Sequence, residues 1–131
     1  MSTRELTEAN FDEAVDKGIV LIDWWAPWCG PCRAFAPVYE AASAQHADIV
    51  FGKVNTEEVP ALAREFEIRS IPTIMVYKEG VLIFAQAGAL PAAGLEELIK
   101  GARELDMVKV HAEIAAREAS EGAAAAPATD K

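Results

Sequence analysis

Residues 19–26, IVLIDWWA, are apolar at every position except Asp23 and dense in β-branched and aromatic side chains. A strand with one wet face alternates in polarity, and this one does not. It therefore belongs in a sheet covered on both faces. The period then changes, because Phe35, Val38, Tyr39 and Ala42 fall on one helical face. Pro37 lies inside that helix and should kink it, since proline removes one backbone hydrogen bond.

The rest of the chain repeats this alternation. IVFGKVNT (49–56) reads as a second strand, and residues 59–66 as a helix with Pro60 in its first turn and Leu62, Ala63 and Phe66 inward. IPTIMVYK (71–78) and VLIFAQA (81–87) read as strands joined by a hairpin at Glu79 and Gly80. Leu95, Leu98, Ile99 and Ala102 mark a last core helix. Upstream, Asn10 and Glu13 resemble a capping box ahead of Phe11, Ala14 and Val15, and a weak edge strand is signalled near residues 4–6. Strands joined by helical crossovers should be parallel, and the hairpin adds antiparallel edges. The expectation is an α/β fold with a central mixed sheet of four to five strands, flanked by helices on both faces.

One domain over residues 1–105 accounts for these elements. Met107, Val110 and Ile114 then suit a helical extension over 106–118, either separate or continuing the last helix. Residues 119–131, ASEGAAAAPATDK, are small and alanine-rich and read as a flexible tail.

Charge and composition exclude several classes of function. A net charge of −9 argues against nucleic acid, whose phosphates need cationic neutralisation. No apolar run approaches the length that spans a bilayer, and the amino terminus has no secretory core segment. With only two cysteines the chain is no disulfide scaffold. These features point to a soluble protein of a reducing cytoplasm; they leave the assembly state open, and a monomer is the default expectation.

Those two cysteines, Cys29 and Cys32, stand three residues apart where the helical period begins. Residues i and i+3 share a helix face at a distance a disulfide can bridge. The free N–H groups and dipole of a helix start favour an anion on Cys29, and the thiolate is the reactive form of cysteine. Cys32, one turn deeper, would attack second. Gly30 lets another chain approach closely, and Pro31 stiffens the turn where a lost N–H does no harm. Zinc needs four ligands, and only His46 and His111 are left to add, far apart in sequence. A cluster bridging two copies is the metal arrangement that this count leaves open. A permanent i, i+3 bridge closes too short a loop to stabilise a fold much, so redox cycling is the reading these residues favour.

Beyond the pair, the chain resembles the thioredoxin family over roughly residues 5–104. The resemblance rests on Asp23 six residues before Cys29, the Trp28-Cys29-Gly30-Pro31-Cys32 motif, and Pro37. It continues through Lys53, Ile71-Pro72-Thr73, and Gly88 with Ala89. It implies the thioredoxin fold and a protein-disulfide reductase, an electron carrier of cell redox homeostasis re-reduced by a thioredoxin reductase, with no cofactor beyond its own cysteines. Cys29 is then the nucleophile and Cys32 the resolving thiol. Asp23, on composition alone as readily a satisfied buried polar group, becomes a proton carrier for Cys32, with Lys53 tuning its charge. The resemblance also implies a cis bond before Pro72. It places Trp28, Gly30, Pro31, Ile71, Pro72, Thr73, Gly88 and Ala89 on the surface that docks disulfide-containing protein substrates. Arg33 stands where relatives often carry lysine, and Trp24 supplies an aromatic beside Trp25. An oxidase or isomerase shares this fold, but the Gly30-Pro31 dipeptide is typical of reducing relatives. A purely binding role, through the docking surface or the extension, is the reading from another class.

Overall fold

A computed structural model of the chain describes residues 3–129, and the side chains of residues 3–121. In chain order the elements are β1 (Thr3–Glu5), α1 (Phe11–Val15), β2 (Ile19–Trp25), α2 (Gly30–Gln45) and β3 (Val50–Asn55). They continue with α3 (Pro60–Glu65), β4 (Thr73–Lys78), β5 (Val81–Ala87), α4 (Ala92–Glu104) and α5 (Met107–Thr129). The strands form one five-stranded sheet in the order β1-β3-β2-β4-β5. β3 is parallel to both β1 and β2, while β4 is antiparallel to β2 and to β5.

The apolar run that had no wet face is the central strand. Residues 20–24 of β2 are all buried, and they alternate between two separate cores. Leu21 packs with Phe35, Tyr39, Phe51, Leu95 and Ile99, under α2 and α4. Val20, Ile22 and Trp24 pack with Phe11, Leu62 and Tyr77, under α1 and α3. Burying each such side chain is worth about 1.5–3 kcal/mol, so the layered arrangement follows from the pattern of this strand. Trp24 and Trp25, adjacent in sequence, consequently lie on opposite faces. Trp24 stacks at an angle on Phe11 and Phe66, with ring centroids 6.0 and 5.4 Å away.

The hairpin sits where the sequence indicates, with Glu79 at φ +53 and Gly80 at φ +80. Two consecutive left-handed residues give a turn whose twist matches the flanking strands. The capping box does not form. Asn10 precedes α1, but its Oδ1 accepts from the Thr7 N–H at 2.7 Å and its Nδ2 donates to the Glu5 carbonyl. The side chain bonds backward into the loop instead of forward into the helix, a competition open to any short amide.

The extension is a helix of its own. Leu105 is extended (φ −64, ψ 128) and ends α4, and the Asp106 carboxylate then accepts from the N–H groups of Val108 and Lys109 at 3.0 and 3.3 Å. Lys78 Nζ donates to the carbonyls of Ala102, Arg103 and Leu105, pairing groups left free at the end of α4. His111 Nε2 lies 2.9 Å from Glu79 Oε1, at the hairpin turn. Val110 and Ile114 face Val81, Ile83 and Leu105 across a shallow groove. α5 continues past residue 118 through most of the stretch expected to form the tail, in keeping with the high helix propensity of alanine. Residues 130 and 131, the end of that tail, lie outside the described residues, as do residues 1 and 2 of the amino terminus.

Candidate active site

The junction of β2 and α2 holds both cysteines, and they are joined as a disulfide with Cα atoms 5.2 Å apart. Cys29 is the N-cap of α2, extended at φ −85 and ψ 113, and its Sγ accepts the Cys32 N–H at 3.1 Å. Sulfur here takes the place of the usual capping oxygen, so a negative charge on it would meet an N–H aimed at it and the positive end of the helix. Pro31 lies in the first turn, where its missing donor is one of those left free anyway. Cys29 is 5% exposed and Cys32 is 2% exposed, so Cys32 is the deeper of the two. The Cys29 N–H donates to the Ala26 carbonyl, and Arg33 Nη1 donates to the Pro27 carbonyl at 2.9 Å. Those two bonds hold the loop that presents Trp28, which is 65% exposed.

Facing the disulfide is the loop before β4. The Ile71-Pro72 bond is cis, and the Ile71 carbonyl oxygen lies 3.7 Å from Cys29 Sγ. Thr73 Oγ1 donates to the Ser70 carbonyl at 2.6 Å, and the Gly88 N–H donates to the Pro72 carbonyl at 2.8 Å. Gly88 has φ +104, a conformation that glycine takes without strain. Pro72 and Thr73 are buried, whereas Ile71 is half-buried and Gly88 and Ala89 are exposed. Gly30 and Pro31 are exposed too, and a Cβ built on Gly30 would meet nothing within 4 Å.

Beneath α2, on the face of β2 that carries Leu21, lies Asp23. It is 1% exposed, and neither carboxylate oxygen has a hydrogen-bond partner. Loss of hydration raises its pKa from 3.8 to about 7, against a smaller opposing pull from Lys53. Lys53 pairs with Asp23 in the β2–β3 register, but its ammonium lies over the Trp25 ring, 4.6 Å from the centroid. It is half-buried, and no direct ion pair joins it to Asp23 among the described residues. Trp25 packs against Ala26, Cys29 and Cys32, beneath the site. The buried Tyr39 phenol donates to the Gly52 carbonyl at 2.7 Å; burial, then the Asp23 charge, raises its pKa.

The structure thus gathers the sequence-predicted residues at one end of the sheet, in two layers. Trp28, Gly30, Pro31, Ile71, Gly88 and Ala89 offer surface around the disulfide, while Asp23, Lys53, Pro72 and Thr73 support it from within. The clamps made by Arg33 and by the Ser70 carbonyl escaped the sequence reading, because neither residue type at those positions announces its partner.

A five-stranded mixed sheet, a disulfide at a helix start and a cis-proline loop against its outer sulfur define a class, the dithiol–disulfide exchange proteins of thioredoxin type. Comparison with known proteins agrees. A family model described as Thioredoxin matches residues 2–101. The chain is 54% identical over 122 residues to "Putative thioredoxin 2" of Streptomyces coelicolor, covering 92% of this chain and 91% of that protein. It is 41% identical over 102 residues to the thioredoxin of Porphyra purpurea, covering 76% and 95% respectively. The solved structure of Plasmodium falciparum thioredoxin superposes with a TM-score of 0.69 at 36% identity, over 75% of this chain and 97% of that one. The chain belongs to the thioredoxin family. It is a protein thiol–disulfide oxidoreductase whose redox group is its own Cys29–Cys32 disulfide. Working with a thioredoxin reductase and with disulfide substrates is normal for the family. The Streptomyces match is long enough to run into the segment after Leu105, so the extension is not peculiar to this chain.

Proposed function

We propose that reduction proceeds by two exchange steps with Cys29 attacking first. The Cys29 thiolate attacks one sulfur of a substrate disulfide, forming a mixed disulfide and releasing the other sulfur as a thiolate that takes up a proton. Cys32, once deprotonated, attacks Cys29 Sγ; the second substrate sulfur leaves, and the Cys29–Cys32 bond forms. A thioredoxin reductase then returns two electrons to the pair. The observation that carries this order is the Cys32 N–H aimed at Cys29 Sγ at 3.1 Å, a device that favours the anion on Cys29.

Asp23 is the proton acceptor for Cys32 in this reading. Its pKa of about 7 lets it hold or release a proton near neutrality, and Lys53 limits how far that value rises. Trp28, Gly30, Pro31, Ile71, Gly88 and Ala89 form the docking surface, and Pro72 and Thr73 fix the loop behind it. An extended substrate segment pairs with the backbone near Ile71, which makes recognition tolerant of side chains. We place the protein in the cytoplasm as a monomer, with the thioredoxin domain ending at residue 105 and a helical extension following it, α5 over Met107–Thr129.

The test is insulin reduction with dithiothreitol or a thioredoxin reductase as electron source. α5 is rooted at the hairpin end of β5, whereas Gly88 and the cysteines lie at the other end of the sheet. Removing residues 106–131 therefore leaves the rate of insulin reduction unchanged. Loss of activity on truncation would favour a role for the extension in catalysis.

A further inference from the structure

The surface around Cys29 continues past Ile71 into ground that the cysteine motif does not define. After α3 ends at Glu65, Glu67 takes a left-handed backbone at φ +54, which non-glycine residues seldom adopt. Its N–H donates to the Arg64 carbonyl, and the Ile68 N–H donates to the Ala63 carbonyl at 2.9 Å. The helix end is thereby closed, and residues 68–70 turn toward Trp28. Between them lies a depression of about 180 Å³, lined by apolar Trp28, Ala63, Ile68 and Ile71 and by Arg69 and Ser70. Arg69 is its one charged lining residue among the described residues.

Two of those residues flank the outer sulfur: Trp28 precedes Cys29 in sequence, and the Ile71 carbonyl touches Cys29 Sγ. A substrate whose disulfide rests on Cys29 lays its neighbouring residues over the depression. Among the described residues Arg69 pairs only with Glu67, at 3.7 Å, and both side chains are mostly exposed. So open a pair is worth little in water, and an incoming carboxylate can replace it. The guanidinium fork suits a carboxylate better than any other common side chain does. In a chain of net charge −9, a cation lining an apolar hollow stands out from the general charge.

We propose that the depression is a substrate subsite for a glutamate or aspartate flanking the attacked disulfide, its stem against Trp28 and Ile71 and its carboxylate on Arg69. The proposal rests on Cys29 being the attacking sulfur, and it names the substrates this site favours as those acidic beside the disulfide.

The experiment uses the full chain and disulfide-bridged peptides that differ only in carrying Glu, Gln or Lys at each position flanking the cysteine. At one position Glu is reduced with a kcat/KM roughly 3- to 10-fold above Lys, the scale of one exposed ion pair gained and one like-charge contact avoided. The preference shrinks as salt is added, and Arg69→Glu inverts it. Equal rates at every position, or a preference that survives in Arg69→Glu, would overturn the subsite. A small disulfide without a peptide reads the cysteine pair alone. Failure of the wild-type protein to reduce it contradicts the Cys29 assignment. Reduction of it, with Glu and Lys peptides treated alike, overturns only the subsite.

Discussion

A Cys29→Ser protein reduces insulin no faster than the dithiothreitol supplied as electron source. A hydroxyl at the start of α2 keeps its proton near neutrality and forms no bond to sulfur that Cys32 could resolve, so the first step is lost. The fold survives. The disulfide closes a loop of only a few residues, and cross-links of that size contribute little through the unfolded chain. The two cores on either side of β2 do not depend on it. Circular dichroism of the variant should therefore match the wild type while turnover falls to background. Retention of full activity would show that Cys29 is not the attacking thiol.

Asp23→Asn has the next largest effect, and it acts on stability and rate in opposite directions. In the folded protein the carboxyl has a pKa of about 7, against 3.8 for the ordinary group, so between those values the folded state binds more protons than the unfolded one. Stability consequently falls as pH rises through that window. A raised pKa of roughly 3 units corresponds to about 4 kcal/mol, fully felt above pH 7 and absent below pH 4. Asparagine carries no charge to desolvate. The variant is therefore more stable than the wild type at pH 8 by an amount of that order, and close to it at pH 4; urea unfolding of the oxidised forms at both values checks this. Resolution of the mixed disulfide slows at the same time, because the acceptor for the Cys32 proton is gone. In the wild type the resolving rate rises as pH passes through 7, and in the variant that rise disappears. A variant with an unchanged pH–rate profile would leave Asp23 with a purely structural role.

Most of the architecture was legible in the sequence because the strongest signals were also the most local. An eight-residue apolar run can hardly be anything but a covered strand, and Glu79 and Gly80 between two strands can hardly be anything but a turn. The same locality explains the misreadings. Asn10 and Glu13 match a capping box by spacing, but the Thr7 N–H and the Glu5 carbonyl lie within reach of the same amide and win it. Whether the last core helix would continue was left open, although Asp106 after Leu105 is a recognisable N-cap signal. Trp24, next to Trp25 in sequence, lies in the other core because side chains alternate along β2.

The site divides in the same way. The cysteines, Pro31 and Trp28 are neighbours in sequence, so their joint geometry follows from a helix start. Asp23 drew notice because a carboxylate in an apolar strand is costly wherever it lies. Its relation to Lys53 depends on strand register, and the ammonium's place over Trp25 depends on packing. Lys78 is the clearest case of what local patterns cannot carry. It binds carbonyls of residues 24–27 positions away, and nothing in TIMVYK indicates that its last residue closes α4.

The order of attack is the centre of the account, and trapping tests it most directly. Reduced Cys29→Ser and Cys32→Ser proteins would each be mixed with oxidised insulin, quenched with acid and weighed by intact-mass spectrometry. The account predicts a stable mixed disulfide on the Cys32→Ser protein, where Cys29 has attacked and nothing resolves it, and none on Cys29→Ser. An adduct formed on the Cys29→Ser protein as fast as on its counterpart would contradict it.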